Sequence, residues 1–168
     1  MRKVNRPWGK WQSVTFSLIA LIIVVADQLS KMWIRTNLLE GQSLLKIGIF
    51  QVTRVHNTGA AFGLFRDHTF VLTIVAIIGI TVILACFFLI AWRLPWLNNM
   101  PVTVGLGLAL GGTVGNLIDR LRLGYVTDFI DFGFWPAFNV ADSAVTIGVI
   151  LFSGFLLFST QTEKRQDG

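Results

Sequence analysis

Cysteine is almost missing from this chain: Cys86 is the only one in 168 residues, which excludes a disulfide within the chain and any cysteine metal cluster. Histidine is nearly as scarce. His56 and His68 both fall between the first two apolar blocks, with no glutamate near them and no H-E-x-x-H spacing, so no metal site is expected. Charge is sparse too, at 14% of residues against 54% hydrophobic, and the mean hydropathy is +0.67. A soluble domain with an aqueous core does not carry that balance, which leaves the bilayer as the expected solvent. No internal repeat or low-complexity tract interrupts the chain, and its length suits one domain, residues 1–168. The net charge of +5 does not indicate nucleic acid. Arg2, Lys3, Arg6 and Lys10 precede the first apolar block and Lys164 and Arg165 follow the last, which is the pattern that orients membrane helices.

What is present in quantity is long apolar runs. Four are near or above the length of about 18 residues that a crossing needs: residues 14–33, 70–92, 101–118 and 138–158. The basic N-terminus predicts a cytoplasmic start, and an even number of crossings returns the C-terminus to that side. The start could also be read as a cleavable signal peptide, with Val24-Val25-Ala26 as a small-residue cut site. Removing it would leave an odd number of crossings and discard the helix bearing Asp27 and Lys31, so the span is expected to stay.

The outer segment 35–69 is too polar to span. Within it Ile47–His56 is β-branched and loosely alternating, then breaks at Asn57-Thr58-Gly59, which predicts a strand and turn in a small extracytoplasmic sheet. Trp8, Trp11, Trp33, Trp92, Trp96 and Trp135 fall near predicted span ends, as an interfacial belt requires. Residues Thr162–Gly168 read as a disordered tail.

An ionisable group in hydrocarbon costs roughly 2.5–3.5 kcal/mol on insertion scales, so each one needs a reason. Asp27 and Lys31, Asn116, Asp119 and Arg120, Asp128, and Asn139 and Asp142 all converge at the outer end of the predicted bundle. Asn116, Asp119 and Arg120 stand at i, i+3, i+4, as do Asn139, Asp142 and Ser143, which puts each trio on one helical face. Asp27 and Lys31, at i, i+4, can pair as a structural ion pair or contact substrate. Gly107, Gly111 and Gly115 form a small-residue stripe expected to pack against another helix. Asp142 could serve only as a helix cap, but Asn139 is the better cap and leaves it available.

Serine catalysis lacks a base: Ser30 and Lys31 are neighbours and face different directions, and Ser143 has only carboxylates near it. Two aspartates remain. Held close, they cannot both ionise; the ionised one can take a proton from water while the protonated one hydrogen-bonds a scissile carbonyl. Spacing alone does not decide whether Asp128 or Asp131 partners Asp142, because both lie in an expected loop, residues 125–135. An alternative is a small multi-pass transporter or channel subunit with Asp27, Asp119 and Asp142 along a polar pathway, but the inner halves of the spans carry no charge.

The segments DQLSK (27–31), HNTGAAF (56–62), GNLIDR (115–120), VTDFIDF (126–132) and FNVADSAVT (138–146) resemble, in order, the motif set of lipoprotein signal peptidases (signal peptidase II). The resemblance implies four transmembrane helices with a small outer sheet. It implies an inner-membrane aspartic endopeptidase, which removes the signal peptide from diacylglyceryl-modified prolipoproteins just before the lipidated cysteine. The chain is expected to act as a monomer, and the aspartate pair to need no cofactor or metal. By the same matching the catalytic acids are Asp128 and Asp142 and Asp131 is secondary. Asn57, Asn116, Arg120, Asn139 and Ala141 would line the substrate site; Asp27, Lys31, Asp119 and Gly59 would hold its framework or touch substrate. Such a substrate, anchored by acyl chains, arrives by lateral diffusion through the membrane lipid.

Overall fold

In the computed structural model, residues 10–59, 65, 67–93 and 99–166 are described. Each apolar run becomes a helix: α1 Lys10–Asn37, α2 Thr69–Arg93, α3 Met100–Leu123 and α4 Val140–Gln166, all long and apolar enough to cross a membrane. Three strands, β1 Ser43–Ile47, β2 Phe50–Asn57 and β3 Val126–Asp131, form one antiparallel sheet in the order β1-β2-β3.

α3 is the central helix. It packs against α1, α2 and α4, and most of its apolar stretch is buried while the other three helices bury only a small part of theirs. Leu18, Leu21, Ile22 and Leu29 of α1 and Ile74, Ile77 and Ile78 of α2 point outward, which would be a defect in water and is required in lipid. The predicted glycine stripe lies against α1. A Cβ on Gly111 would stand 2.7 Å from the Ala20 carbonyl oxygen, and one on Gly115 would stand 2.5 Å from Asp27 Oδ2. On another face of α3, a Cβ on Gly112 would collide with the Ala141 carbonyl, so α4 also comes within backbone reach. Asn99 caps the start of α3, its Oδ1 accepting from Val102 N at 3.1 Å, and Gly124 ends it at φ +79°.

Three expectations need correction. The segment 47–56 is not one strand: Ile47 pairs with Phe50 around a two-residue turn at Gly48 (φ +59°), giving a hairpin. Val126–Asp131, expected as loop, is a strand because β2 supplies its hydrogen-bonding edge. Helix α4 continues through Gln166, so the expected tail from Thr162 is helical as far as that residue. Trp11, Trp33 and Trp135 are exposed at the ends of the bundle. Trp8, Trp96 and the Trp92 side chain lie outside the described residues.

The sheet is tied to the bundle at one end. Arg54 Nη1 of β2 donates to the carbonyls of Arg35 (3.0 Å) and Leu38 (2.8 Å), satisfying acceptors that the end of α1 leaves open. On the other edge of β3, Phe138 exchanges backbone bonds with Ile130, which delivers Asn139 and the start of α4 beside Asp128.

Candidate active site

The polar residues at the sheet end form one hydrogen-bonded cluster. Its frame is Lys31, fully buried, whose Nζ lies 2.9 Å from Asp27 Oδ2 and 3.5 Å from Asp119 Oδ2 and donates to Asn116 Oδ1 at 2.8 Å. Asp27 holds α4 from a distance: its Oδ1 accepts from Ala141 N at 3.0 Å, in the first turn of that helix. Asp119 Oδ2 accepts from Thr127 N at 3.0 Å. With Asp27 and Lys31 at 0% exposure and Asp119 at 1%, these side chains are closed off from solvent and from any ligand in this conformation.

Three asparagines connect the frame to the two aspartates, and each is oriented by what its carbonyl oxygen does. Asn116 Oδ1 is taken by Lys31, so its Nδ2 is left to donate to Asp142 Oδ1 at 2.7 Å. Asn139 caps α4, its Oδ1 accepting from Asp142 N at 3.0 Å, so its Nδ2 reaches Asp128 Oδ1 at 2.6 Å and Asn116 Oδ1 at 3.2 Å. Asn57 Oδ1 accepts from Gly59 N at 2.9 Å, and its Nδ2 donates to Asp128 Oδ2 at 2.8 Å across the β2–β3 pair. Asp142 is not wholly free of capping: its Oδ2 accepts from Asn139 N at 3.2 Å, completing a reciprocal box. Its Oδ1 is the oxygen turned to Asn116.

Asp128 is 1% exposed. Burial, then the neighbouring charge of Asp142, pushes its carboxyl up to about 7, against the opposing pull of the Asn57 and Asn139 amides. Asp131, the other aspartate of that strand, is occupied elsewhere, accepting from Gln51 Nε2 at 2.6 Å and Gly133 N at 2.7 Å. Arg120 lies within electrostatic reach of Asp142, Asp128 and Asp119.

A groove of about 760 Å³ opens beside the cluster between α2 and α4, with α3 beneath. Asn57, Gly59, Asn116, Arg120 and Asp142 line one part of it; Leu72, Val75, Ala76, Val145 and Ile147 make an apolar continuation. Asp128 is not on its wall, so access to that carboxyl requires the side chains over it to move.

Several participants were not singled out in the sequence. Arg35 Nη1 donates to Asp119 Oδ1 (3.3 Å) and Thr127 Oγ1 (3.1 Å), and Gln28 Nε2 to Gly115 O (3.1 Å) and Asp119 Oδ1 (3.3 Å). The i, i+4, i+8 stripe Asp27, Lys31, Arg35 was the available signal for Arg35. Thr127 offered none. His56, expected to have no glutamate near it, pairs through Nδ1 with Glu40 at 2.9 Å and stacks on Tyr125. The hairpin folds the end of α1 back onto β2, a proximity that sequence distance hides. Among the described residues, no group of three or more ligating side chains converges on a metal position.

Comparison with known proteins gives one answer from each direction. The family model described as signal peptidase (SPase) II matches residues 19–158. A lipoprotein signal peptidase of Dehalococcoides mccartyi is 49% identical over 139 residues, covering 83% of this chain and 86% of that protein. One of Moorella thermoacetica is 45% identical over 152 residues, covering 90% and 98%. A bacterial membrane enzyme solved by the in meso method at 2.3 Å superposes with a TM-score of 0.79 at 34% identity, covering 88% of this chain and 90% of that one. With four membrane-length helices around a buried polar cluster, the chain belongs to the signal peptidase II family, multi-pass bacterial membrane proteases of prolipoprotein signal-peptide processing.

Proposed function

We propose that the chain is an aspartic endopeptidase in which Asp128 and Asp142 act as the catalytic pair on diacylglyceryl-modified prolipoproteins, cutting before the lipidated cysteine. The observation that carries this reading is the pairing of two carboxylates on separately oriented asparagine donors, with Asp128 raised to about 7 by burial and by Asp142. A pair that shares one proton near neutrality has the parts for peptide hydrolysis without cofactor or metal. Asp142, on the groove wall, in ionised form takes a proton from the attacking water; Asp128, protonated, hydrogen-bonds the scissile carbonyl as negative charge builds on it. Activity falls as the pH rises through about 7 and Asp128 loses its proton.

In this reading Asn57, Gly59, Asn116 and Arg120 stand where the peptide near the cut would lie. Asn139, expected to line the site, is fully buried and with Ala141 backs it, and Asp27, Lys31 and Asp119 hold it. The apolar part of the groove suits a hydrophobic signal segment entering from the bilayer between α2 and α4. The sheet end faces outward and both termini lie in the cytoplasm, as the basic N-terminus requires, and the protein acts as a monomer.

Cleavage of a lipidated prolipoprotein by wild type, Asp128→Asn, Asp142→Asn and Asp131→Asn, each checked for folding in detergent, tests the assignment. Loss of activity in the first two variants with retention in Asp131→Asn supports the pair. Cleavage by both Asp128→Asn and Asp142→Asn removes the pair as the catalytic group.

A further inference from the structure

Arg35 is in the last turn of α1, and its side chain joins α1 to both α3 and β3. Its Nη1 donates to Asp119 Oδ1 at 3.3 Å and to Thr127 Oγ1 at 3.1 Å, while Asp119 Oδ2 accepts from Thr127 N at 3.0 Å. Thr127, fully buried, is therefore held by its hydroxyl and its backbone amide at once, immediately before Asp128. Arg35 also anchors the next strand, since its carbonyl accepts from Arg54 Nη1 at 3.0 Å.

We propose that Arg35, acting through Thr127, is a positioning residue that fixes the backbone of β3 so that the Asp128 carboxylate stays aimed at its partner. The inference rests on the aspartic-pair reading above and deepens it.

Two further observations support it. The β2–β3 register shifts between Val52 and Val55, and Val55 is the residue opposite Asp128, so the ladder is irregular where Asp128 needs to be held. A clamp on Thr127 from the α1 side supplies the restraint that an interrupted ladder does not. Nor is Arg35 needed merely to neutralise Asp119, which already has Lys31 at 3.5 Å and Gln28 at 3.3 Å. What Arg35 adds, and those two do not, is the bond to the Thr127 hydroxyl.

The test compares Arg35→Met, Arg35→Lys, Thr127→Val and Thr127→Ser, with the double variant Arg35→Met/Thr127→Val, in the full chain in detergent acting on a lipidated prolipoprotein. Arg35→Met and Thr127→Val should each lower kcat about tenfold, the scale on which loss of a group orienting an active residue is felt. KM should stay within about twofold, because the groove residues are untouched. Thr127→Ser keeps the hydroxyl and should keep kcat, Arg35→Lys should recover part of it, and the double variant should be no slower than Arg35→Met. A wild-type kcat in Thr127→Val, a loss confined to KM, or losses that multiply in the double variant would overturn the proposal. If Arg35→Met does not fold, the contrast of Thr127→Val with Thr127→Ser decides. Asp128→Asn in the same assay separates the two levels: an active Asp128→Asn takes down the pair and this inference with it, whereas an inactive one beside an unimpaired Thr127→Val takes down this inference alone.

Discussion

At the end of the bundle where α1 begins, Phe16 stacks on Phe87 with ring centroids 3.9 Å apart, and Ile90, Val102 and Leu106 close around them. At the sheet end the buried volume is filled by Lys31, Asp27, Asp119, Thr127, Asp128 and Asn139. The first end needs only shape. In lipid its apolar side chains gain little from leaving one another for the tails, so packing contacts and glycine approaches do the holding. The second is a set of charges and amides that is stable only while every member has its partner, because an unpaired buried ion costs several kcal/mol. The apolar end depends on shape; the polar end is the one in which each residue depends on the next.

Lys31→Met should sharpen that contrast most. It takes their shared cation from the buried Asp27 and Asp119 and releases the orientation of Asn116, so we expect a stability loss of roughly 3–5 kcal/mol with loss of cleavage, read by thermal unfolding in detergent and by turnover. Thermal unfolding against pH comes next. The Asp128 carboxyl is raised in the folded chain from 3.8 to about 7, so its contribution to stability is fully present below pH 3.8 and is lost as the pH rises through about 7. The stability of Asp128→Asn relative to wild type should therefore rise between those limits, by at most about 4 kcal/mol at 1.36 kcal/mol per unit. A flat difference would mean that Asp128 is not held protonated.

Gly115→Ala tests the junction of the two regions. Its Cβ would press on Asp27 Oδ2 at 2.5 Å, so a packing change should act as an electrostatic one, costing about 1–3 kcal/mol and lowering turnover as well. The smallest effect belongs to the apolar end. Phe16→Leu should cost about 1 kcal/mol and leave kcat and KM unchanged; a change in kcat there would break the distinction between the two ends.

The four crossings and the end where the polar residues gather could be read from the chain alone. Apolar run length and basic flanks are properties of short segments judged against a fixed hydrocarbon thickness, and i, i+4 spacing places side chains on a helical face without reference to any partner. The pairing of Asp27 with Lys31 followed from that spacing, as did the role of Asn139 as a cap.

Tertiary structure alone decided the rest. The Gly48 turn, the strand at Val126–Asp131 and the closeness of His56 to Glu40 depend on which edges meet, and a strand has no hydrogen-bonding partner within itself. The flips of Asn57, Asn116 and Asn139 likewise follow from groups far off in sequence or across a turn, and so does the burial of Asp128 that raises its carboxyl. Local periodicity places a residue on a face; which atom of that residue points at an aspartate is set by what occupies its other atoms, and that is known only once the elements have packed.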